Sequence, residues 1–258
     1  MASLDLANVG KSFGGLKAIT DVTFSVPAGE ITGLIGPNGA GKSTVVNLIT
    51  GLLRLSSGRI TLDGQDIGAA PPEQVVRLGV ARTFQNIRLL TEATVLENVL
   101  IGFHRRETAS ILAGLLSLPV SRRETARLKD AAMEMLERFE IGHLAMAHAG
   151  TLSYGHQRRV EMARAFATDP RILLLDEPVA GMNEVESDSL GRLFRKLADS
   201  GVGILLIEHD VKFVSRLSRT VHVLDSGRII ASGKPQEVLC HPDVVAAYLG
   251  AEDLEGVA

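Results

Sequence analysis

The stretch ITGLIGPNGAGKST, residues 31–44, decides the fold. A short apolar strand runs into a glycine-rich loop, and STVVNLITGLL (residues 43–53) continues at helical spacing, with Val45, Leu48, Ile49 and Leu52 on one side. The loop fits the pattern G-x-x-x-x-G-K-[S/T] at Gly36, Gly41, Lys42 and Ser43, in the strand–loop–helix context that the pattern requires. Glycines let backbone N–H groups turn inward as a nest for phosphate oxygens, and the helix start adds its positive end. Gly36, Pro37, Asn38, Gly39, Ala40, Gly41, Lys42, Ser43 and Thr44 are therefore the expected cradle for a nucleotide's phosphates. Lys42 would bridge the β- and γ-phosphates, and Ser43 would offer its hydroxyl to Mg²⁺.

A second stretch completes half of such a site. RILLLDEP, residues 171–178, is an apolar strand that delivers Asp176 at its carboxyl end, where ligands of open α/β sheets bind. A carboxylate there can hold Mg²⁺ through water, and Glu177 beside it can take a proton from an attacking water.

Around these two stretches the chain alternates. VTFSV puts Val22, Phe24 and Val26 on one face, and GRITLDGQDI reads as a strand followed by an Asp-Gly turn. GVARTFQ reads as a short strand. From about Thr94 to Ala147 the spacing becomes helical (Leu128, Ala132, Met135, Leu136, Phe139), divided at Pro119. Alternation then returns: helix 154–167, strand 171–176, helix 185–199, strand 202–208, helix 211–217, a hairpin in VHVLDSGRIIASG, and a C-terminal helix. Apolar strands alternating with helices imply a parallel sheet covered on both faces.

The bulk numbers exclude several classes of function. With 258 residues, 45% apolar, and no low-complexity tract, the chain is expected to fold around a real core. A net charge of −3 gives no electrostatic case for nucleic acid. One cysteine, Cys240, cannot form an internal disulfide, and His143 and His148 lack metal-ligand spacing; all three read as structural. The N-terminus lacks a signal-peptide pattern, Ala2 rules out myristoylation, and the longest apolar run, residues 111–120, is short of the roughly 18–20 needed to span a bilayer. The expectation is a soluble chain that reaches a membrane only through a partner.

LSYGHQRRVEMARA, residues 152–165, poses the remaining question. Ser153 is placed to cap a helix whose buried face is Val160, Ala163 and Ala167, and which Asp169-Pro170 stops. Such a start suits negative charge, yet the chain already has a phosphate site. GPNGAGKST, LSYGHQ, LLLDEP and the histidine of LIEHD stand in the order of an ATP-binding cassette (ABC) ATPase, which the chain resembles from about residue 4 to 250.

The resemblance implies an α/β P-loop NTPase fold, RecA-like, with a mostly parallel sheet core, an antiparallel β sub-domain and an inserted α-helical sub-domain. It forms one cassette, residues 1–258: residues 1–86 and 160–258 would form the core and β sub-domain, and residues 87–159 the helical sub-domain with the signature motif. It also implies that two cassettes pair head to tail, so that Ser153, Tyr154, Gly155, His156 and Gln157 of one complete the phosphate site of the other. By the same resemblance Phe13 would stack on adenine, and Gln85 would touch Mg²⁺ and the attacking water. Glu177 would be the general base and His209 would contact the γ-phosphate, with Lys42 and these residues as the catalytic set. Ser43, Gln85 and Asp176 would form the magnesium set.

Two departures stand out. Tyr154 replaces the first glycine of the common L-S-G-G-Q signature, with His156 inserted before Gln157 or in its place, and Asn183 in VAGMN stands where the family usually has aspartate. Together with SFGGLKA, ARTFQNIRLL, IEHDVKFV and PDVVAAYLG, they make the chain similar to the ATPase subunits of branched-chain amino acid importers. Cassettes for urea, amides or other polar amino acids share much of this pattern. Implied partners are a second cassette, identical or a sister chain, membrane permease subunits and, indirectly, a solute-binding protein, at the cytoplasmic face of the membrane. The permeases would dock between the Gln85 region and the helical insertion; the stretch from Arg105-Arg106 to Arg122-Arg123 neighbours that contact or is simply a solvated hairpin. A soluble cassette of DNA repair or translation would carry long coiled coils or a second fused cassette, and a plain P-loop kinase would leave LSYGHQ, Gln85 and His209 without a role.

Overall fold

The structure, a computed structural model, describes residues 3–83, 87–103 and 119–255, with side chains for all of these except 119–124 and 249–255. The chain divides into two compact units, residues 1–82 with 171–258, and residues 83–170.

The first unit holds two sheets. One is antiparallel, in the order β2 (Leu16–Pro27), β1 (Ser3–Phe13), β4 (Ser57–Leu62), β5 (Gln65–Asp66). The other runs β10 (Arg228–Gly233), β9 (Thr220–Asp225), β3 (Ile31–Ile35), β8 (Gly203–Ile207), β7 (Ile172–Asp176), β6 (Val80–Arg82). In that second sheet β9, β3, β8, β7 and β6 are mutually parallel, and only β10 is antiparallel to its neighbour. All five residues of β3, β7 and β8 are buried, which is what apolar runs without alternation require of central parallel strands.

Helix α1 (Lys42–Ile49) packs into one hydrophobic cluster with both sheets: its Val45, Val46, Leu48 and Ile49 meet Leu4 and Phe24 of the antiparallel sheet and Leu34 and Leu205 of the parallel one. Eight residues make a helix that is marginal in water, so its stability comes from this burial, about 1.5–3 kcal/mol for each fully buried aliphatic side chain. The helix stops at Ile49, with Gly51 left-handed at φ 72°, and Leu52, expected on its buried side, is exposed. A helix the sequence reading passed over, α2 (Pro72–Leu78), precedes β6. Proline opens it, and Gly79, left-handed at φ 108°, closes it. On the far flank, α6 (Glu184–Asp199) and α7 (Val211–Leu217) cover the parallel sheet with Leu190, Leu193, Phe194, Phe213 and Val214, and α8 (Pro235–Leu239) and α9 (Pro242–Glu255) follow the hairpin.

The second unit, residues 83–170, is helical: α3 (Val95–Phe103), α4 (Pro119–Arg138), two 3₁₀ turns, and α5 (Tyr154–Phe166). A boundary at 159/160, as expected, would cut α5; the helix stays whole because it packs on α3 and α4 within this unit. At Gly102 any larger residue would run into the Arg164 carbonyl of α5, so glycine sets how closely α3 and α5 approach. Thr94 and Glu97 form a reciprocal cap at the start of α3, a T-x-x-E signature. The core of this unit is Val95, Val99, Phe103, Ala132, Leu136, Phe139, Val160 and Phe166, and it encloses an ion pair, Arg158 Nη1 to Glu161 Oε2 at 2.8 Å.

His222 of β9 is buried, with its ring 4.9 Å from that of Phe24 and its Nδ1 2.8 Å from Ser232 Oγ. Burial lowers its pKa from 6.5 to about 4. Between those values an unfolded chain binds a proton that the folded chain does not. Stability present above pH 6.5 is therefore lost as pH falls toward 4, by up to about 3 kcal/mol. Urea unfolding across this range should show the loss, and His222→Phe, which keeps a ring against Phe24, should flatten it. An unchanged slope would assign the acid sensitivity to other groups.

Candidate functional site

Parallel pairing places four carboxyl ends side by side. The glycine-rich loop follows β3, His209 lies just beyond β8, Asp176 ends β7 with Glu177 next to it, and Arg82 ends β6; β3, β8, β7 and β6 are successive neighbours. Sequence reasoning expected the glycine-rich loop, the acidic pair and the histidine to meet, and the register puts them on one edge.

The loop's shape is fixed by two glycines. Gly36 has φ 152°, and a methyl group there would run into the Leu224 carbonyl oxygen of β9. Gly41, left-handed at φ 107°, is the N-cap of α1, and a Cβ there would come within 2.7 Å of Ile19 Cδ1. No side chain caps α1, so its first amide groups meet no oxygen from the N-cap residue. Pro37, Asn38, Gly39 and Ala40 complete the loop, with Ala40 N–H donating to the Pro37 carbonyl at 3.2 Å. Lys42 is buried, and its Nζ donates to the carbonyls of Gly36 at 2.6 Å and Pro37 at 3.0 Å. Burial lowers its pKa, while the charges of Glu177 and then Asp176 raise it. The lysine and the acidic pair therefore share one electrostatic neighbourhood. Ser43 is exposed and Thr44 half-buried at the start of α1.

At the acidic end, Asp176 is held rather than loose. Arg82 Nη2 lies 2.7 Å from its Oδ2, and Arg82 Nη1 donates to Asn47 Oδ1 of α1 at 2.7 Å. One guanidinium thus ties β6, β7 and α1 together, a bridge that suits its planar fork. Glu177 is left-handed at φ 48°, and its N–H donates to the Ile207 carbonyl of β8 at 2.9 Å. His209 is exposed, 64% by side chain, with Nδ1 3.6 Å from Oε2 of the buried Glu208. Arg82, Asn47 and Glu208 were not expected as site residues; Arg82 and Glu208 stand at strand ends, and Asn47 lies within α1.

Phe13 ends β1 at 47% exposure, with Lys11 Nζ 5.0 Å from its ring centroid. At that exposure Phe13 is not part of the core. It pairs with Leu16 at the tip of the β1–β2 hairpin, two residues before Ala18, whose carbonyl abuts Gly41. Gln85 lies outside the described residues, as do Arg105 and Arg106; of Arg122 and Arg123 only the backbone, in α4, is described.

In the second unit, Ser153 is the N-cap of α5, its hydroxyl accepting from the His156 amide at 3.5 Å and lying 3.2 Å from His156 Nδ1. Ser153 and Tyr154 are exposed, and Gly155, His156 and Gln157 half-buried. Tyr154 has a structural partner: its hydroxyl accepts from Nη2 of the fully buried Arg158 at 3.2 Å. Gln157 Nε2 donates to the Leu152 carbonyl at 3.1 Å. Asn183, in the first unit, is the N-cap of α6 in a capping box with Glu186, a role asparagine and aspartate fill equally.

The donor set suits a hard cation. Among the described residues no group of three or more His, Cys, Asp or Glu side chains could hold a metal alone. Hydroxyl and carboxylate oxygens at Ser43 and Asp176 fit Mg²⁺, which binds through one or two carboxylates with water and substrate phosphate. An anion cradle, a buried ammonium, a carboxylate pair and an imidazole on one sheet edge can together bind a triphosphate and deprotonate a water beside it.

Comparison with known proteins bears on this geometry. Residues 19–180 match the family model described as ABC transporter, and residues 228–253 match one described as branched-chain amino acid ATP-binding cassette transporter. The chain is 44% identical over 248 residues to the high-affinity branched-chain amino acid transport ATP-binding protein BraF of Pseudomonas aeruginosa, covering 96% of this chain and 97% of that one. It is 43% identical to the protein LivG of the same description from Escherichia coli K12, over 92% of this chain and 94% of that one. Among solved structures, the ADP conformation of an ATP-binding cassette of an ABC transporter superposes with a TM-score of 0.84 at 36% identity, covering 97% and 99% of the two chains.

If the Arg82 bridge holds the acidic end, Arg82→Met should lower unfolding stability by about 3 kcal/mol, because it strands a buried carboxylate. Arg82→Lys keeps the charge but cannot span Asp176 and Asn47 together, and should recover only part of the loss. Urea unfolding measures both. A methionine chain as stable as the parent would remove this bridge from the account.

Proposed function

The chain belongs to the ABC transporter family as an ATP-hydrolysing cassette, and we propose that it energises import of branched-chain amino acids through partner permeases at the cytoplasmic face of the membrane. The observation that carries the hydrolytic reading is the alignment of the glycine-rich loop, His209, Asp176-Glu177 and Arg82 at successive parallel strand ends. ATP sits with its phosphates over Gly36–Thr44 and its adenine against Phe13. Lys42 exchanges the Gly36 and Pro37 carbonyls for β- and γ-phosphate oxygens, a short swing because the ammonium already lies on the loop. Glu177 accepts the proton of the attacking water, and His209, exposed just beyond the neighbouring strand β8, reaches the γ-phosphate. Mg²⁺ would be held by Ser43, Asp176 and Gln85, and supplies charge neutralisation on the phosphates.

The exposed helix start at Ser153–Gln157 belongs, in this reading, to a second cassette's nucleotide. An exposed serine hydroxyl at a helix start, followed by glycine, suits a γ-phosphate, and a two-cassette arrangement gives the chain's two phosphate-binding features one purpose. No helix among the described residues is long and apolar enough to cross a membrane. In this reading the pathway itself is formed by partner permeases. A groove of about 720 Å³ on the second unit, lined by Leu89, Leu90, Ala93, Glu97 and Ile101, is a surface for them; Leu90 and Ile101 are exposed, and the fully buried Asn98 pins the Leu90 backbone at both its amide and its carbonyl. The branched-chain assignment rests on the named relatives and on the C-terminal family model.

Glu177→Gln should keep ATP affinity within about twofold while turnover falls by about 100-fold or more, and ATP should then stabilise a dimer visible by size-exclusion chromatography. Turnover at the parental rate would sink the general-base assignment. Mixed dimers of Lys42→Ala and Ser153→Ala chains should regain one working site; loss without any mixed-dimer activity would argue against a shared site. Leu90→Asp should lower recovery of the chain with membranes and lower leucine uptake in cells, and unchanged uptake would remove the groove from permease docking.

A further inference from the structure

Glu208 is the most heavily buried acid at the site. It is 0% exposed, directly after β8, and the hydrolytic account above gives it nothing to do. Its Oε1 accepts the Val179 N–H at 3.0 Å, and its Oε2, also buried, has no hydrogen-bond partner among the described residues. That second oxygen lies 3.6 Å from His209 Nδ1. Burial first, and the charge of Glu177 in addition, raise the carboxyl's pKa, against the Val179 amide and His209, which lower it.

A buried carboxyl with one oxygen unsatisfied is a poor structural filler. Its desolvation opposes folding, and a well-packed apolar side chain of the same size is commonly as stable or more so. What the position does offer is geometry. The segment that leaves Glu177 is fastened to β8 twice, by Glu177 N–H on the Ile207 carbonyl at 2.9 Å and by Val179 N–H on Glu208. From Val179 the chain turns, with Met182 N–H on the Val179 carbonyl at 3.0 Å, and enters the Asn183 cap. The same carboxyl faces the ring of the next residue, His209. A single side chain therefore touches both the stretch that carries Glu177 and the residue that carries the imidazole.

We propose that Glu208 is a positioning residue for ATP hydrolysis: one oxygen fixes the loop behind Glu177, the other fixes the ring of His209, so that base and imidazole are set from one buried point. The inference rests on the roles given to Glu177 and His209 above. Groups of this kind, one step behind the reacting ones, typically cost about 10-fold to 100-fold in activity when removed. They do so without changing ground-state binding, because they hold catalytic groups and not the substrate.

The test uses the full chain with Mg²⁺ and ATP, followed by steady-state and single-turnover hydrolysis. Glu208→Ala should lower kcat about tenfold with KM for ATP within about twofold. Glu208→Gln, which keeps an oxygen for the Val179 amide at the same reach, should recover kcat to within about threefold of the parent. In a His209→Ala background, Glu208→Ala should lower the single-turnover rate by less than it does in the parent, since the ring it orients is gone and only its hold on the Val179 amide remains to be lost. Should the alanine chain fail to fold, Glu208→Met, of similar length and without an oxygen, carries the same expectations. Any of three results overturns the proposal: an unaltered kcat in the folded variant, a loss shared with KM or equal in both histidine backgrounds, or a glutamine chain as slow as the alanine one. Glu177→Gln is run alongside. If it hydrolyses normally, the reading of the site falls; if it is dead while Glu208→Ala is fully active, only the role of Glu208 falls.

Discussion

Parallel register is the constraint on which the site depends. β3, β8, β7 and β6 lie side by side and point the same way, so whatever follows each strand emerges on one edge. The chain then needs only short local devices at those exits: glycines after β3, an acid pair after β7, a histidine after β8, an arginine at the end of β6. A strand shifted by one residue would turn its side chains to the opposite face and carry its last residue away from the others. Full burial of β3, β7 and β8 opposes such shifts, because every residue in them already packs against a covering layer.

The polar groups at this edge are arranged so that each strand exit is fastened to a neighbour. Arg82 joins β6, β7 and α1; Glu177 N–H joins the β7 exit to β8; Glu208 joins the β8 exit back to the stretch after β7. These ties are buried or nearly so, where a hydrogen bond to a charged group is worth about 1.5–3 kcal/mol and its loss leaves a stranded partner. Packing and these ties set where the strand exits and the acids lie, while the His209 ring stays exposed beside them. The second unit shows the same habit around Arg158, which reaches Glu161 and Tyr154 from a fully buried position.

Much of this was legible in the sequence, for identifiable reasons. The glycine-rich loop, the apolar strands and the acid pair are local patterns: their spacing and residue type state their own geometry. Val22, Phe24 and Val26 alternate and are buried as alternation demands. Asn183, where the family usually has aspartate, caps α6, a role that either residue fills. What escaped notice was non-local. Arg82 and Asp176 are 94 positions apart and Glu208 and Val179 are 29 apart, and nothing in either neighbourhood announces the other. The helix at Pro72–Leu78 has ordinary start and stop signals in Pro71-Pro72 and Gly79 that the sequence reading passed over, and the helical reading of residues 43–53 runs four residues past the end of α1 because Leu52 keeps the helical phase beyond the Gly51 turn.

The left-handed backbone at Glu177 has a consequence for stability. A residue with a Cβ and a long side chain held at φ 48° carries strain of about 1–2 kcal/mol, which glycine would not bear and asparagine would bear more easily. Heat resistance and chemistry therefore pull this codon in opposite directions. In the proposed base role the carboxylate is kept at the cost of that strain, and glycine or asparagine at 177 would relieve the backbone while removing the carboxylate.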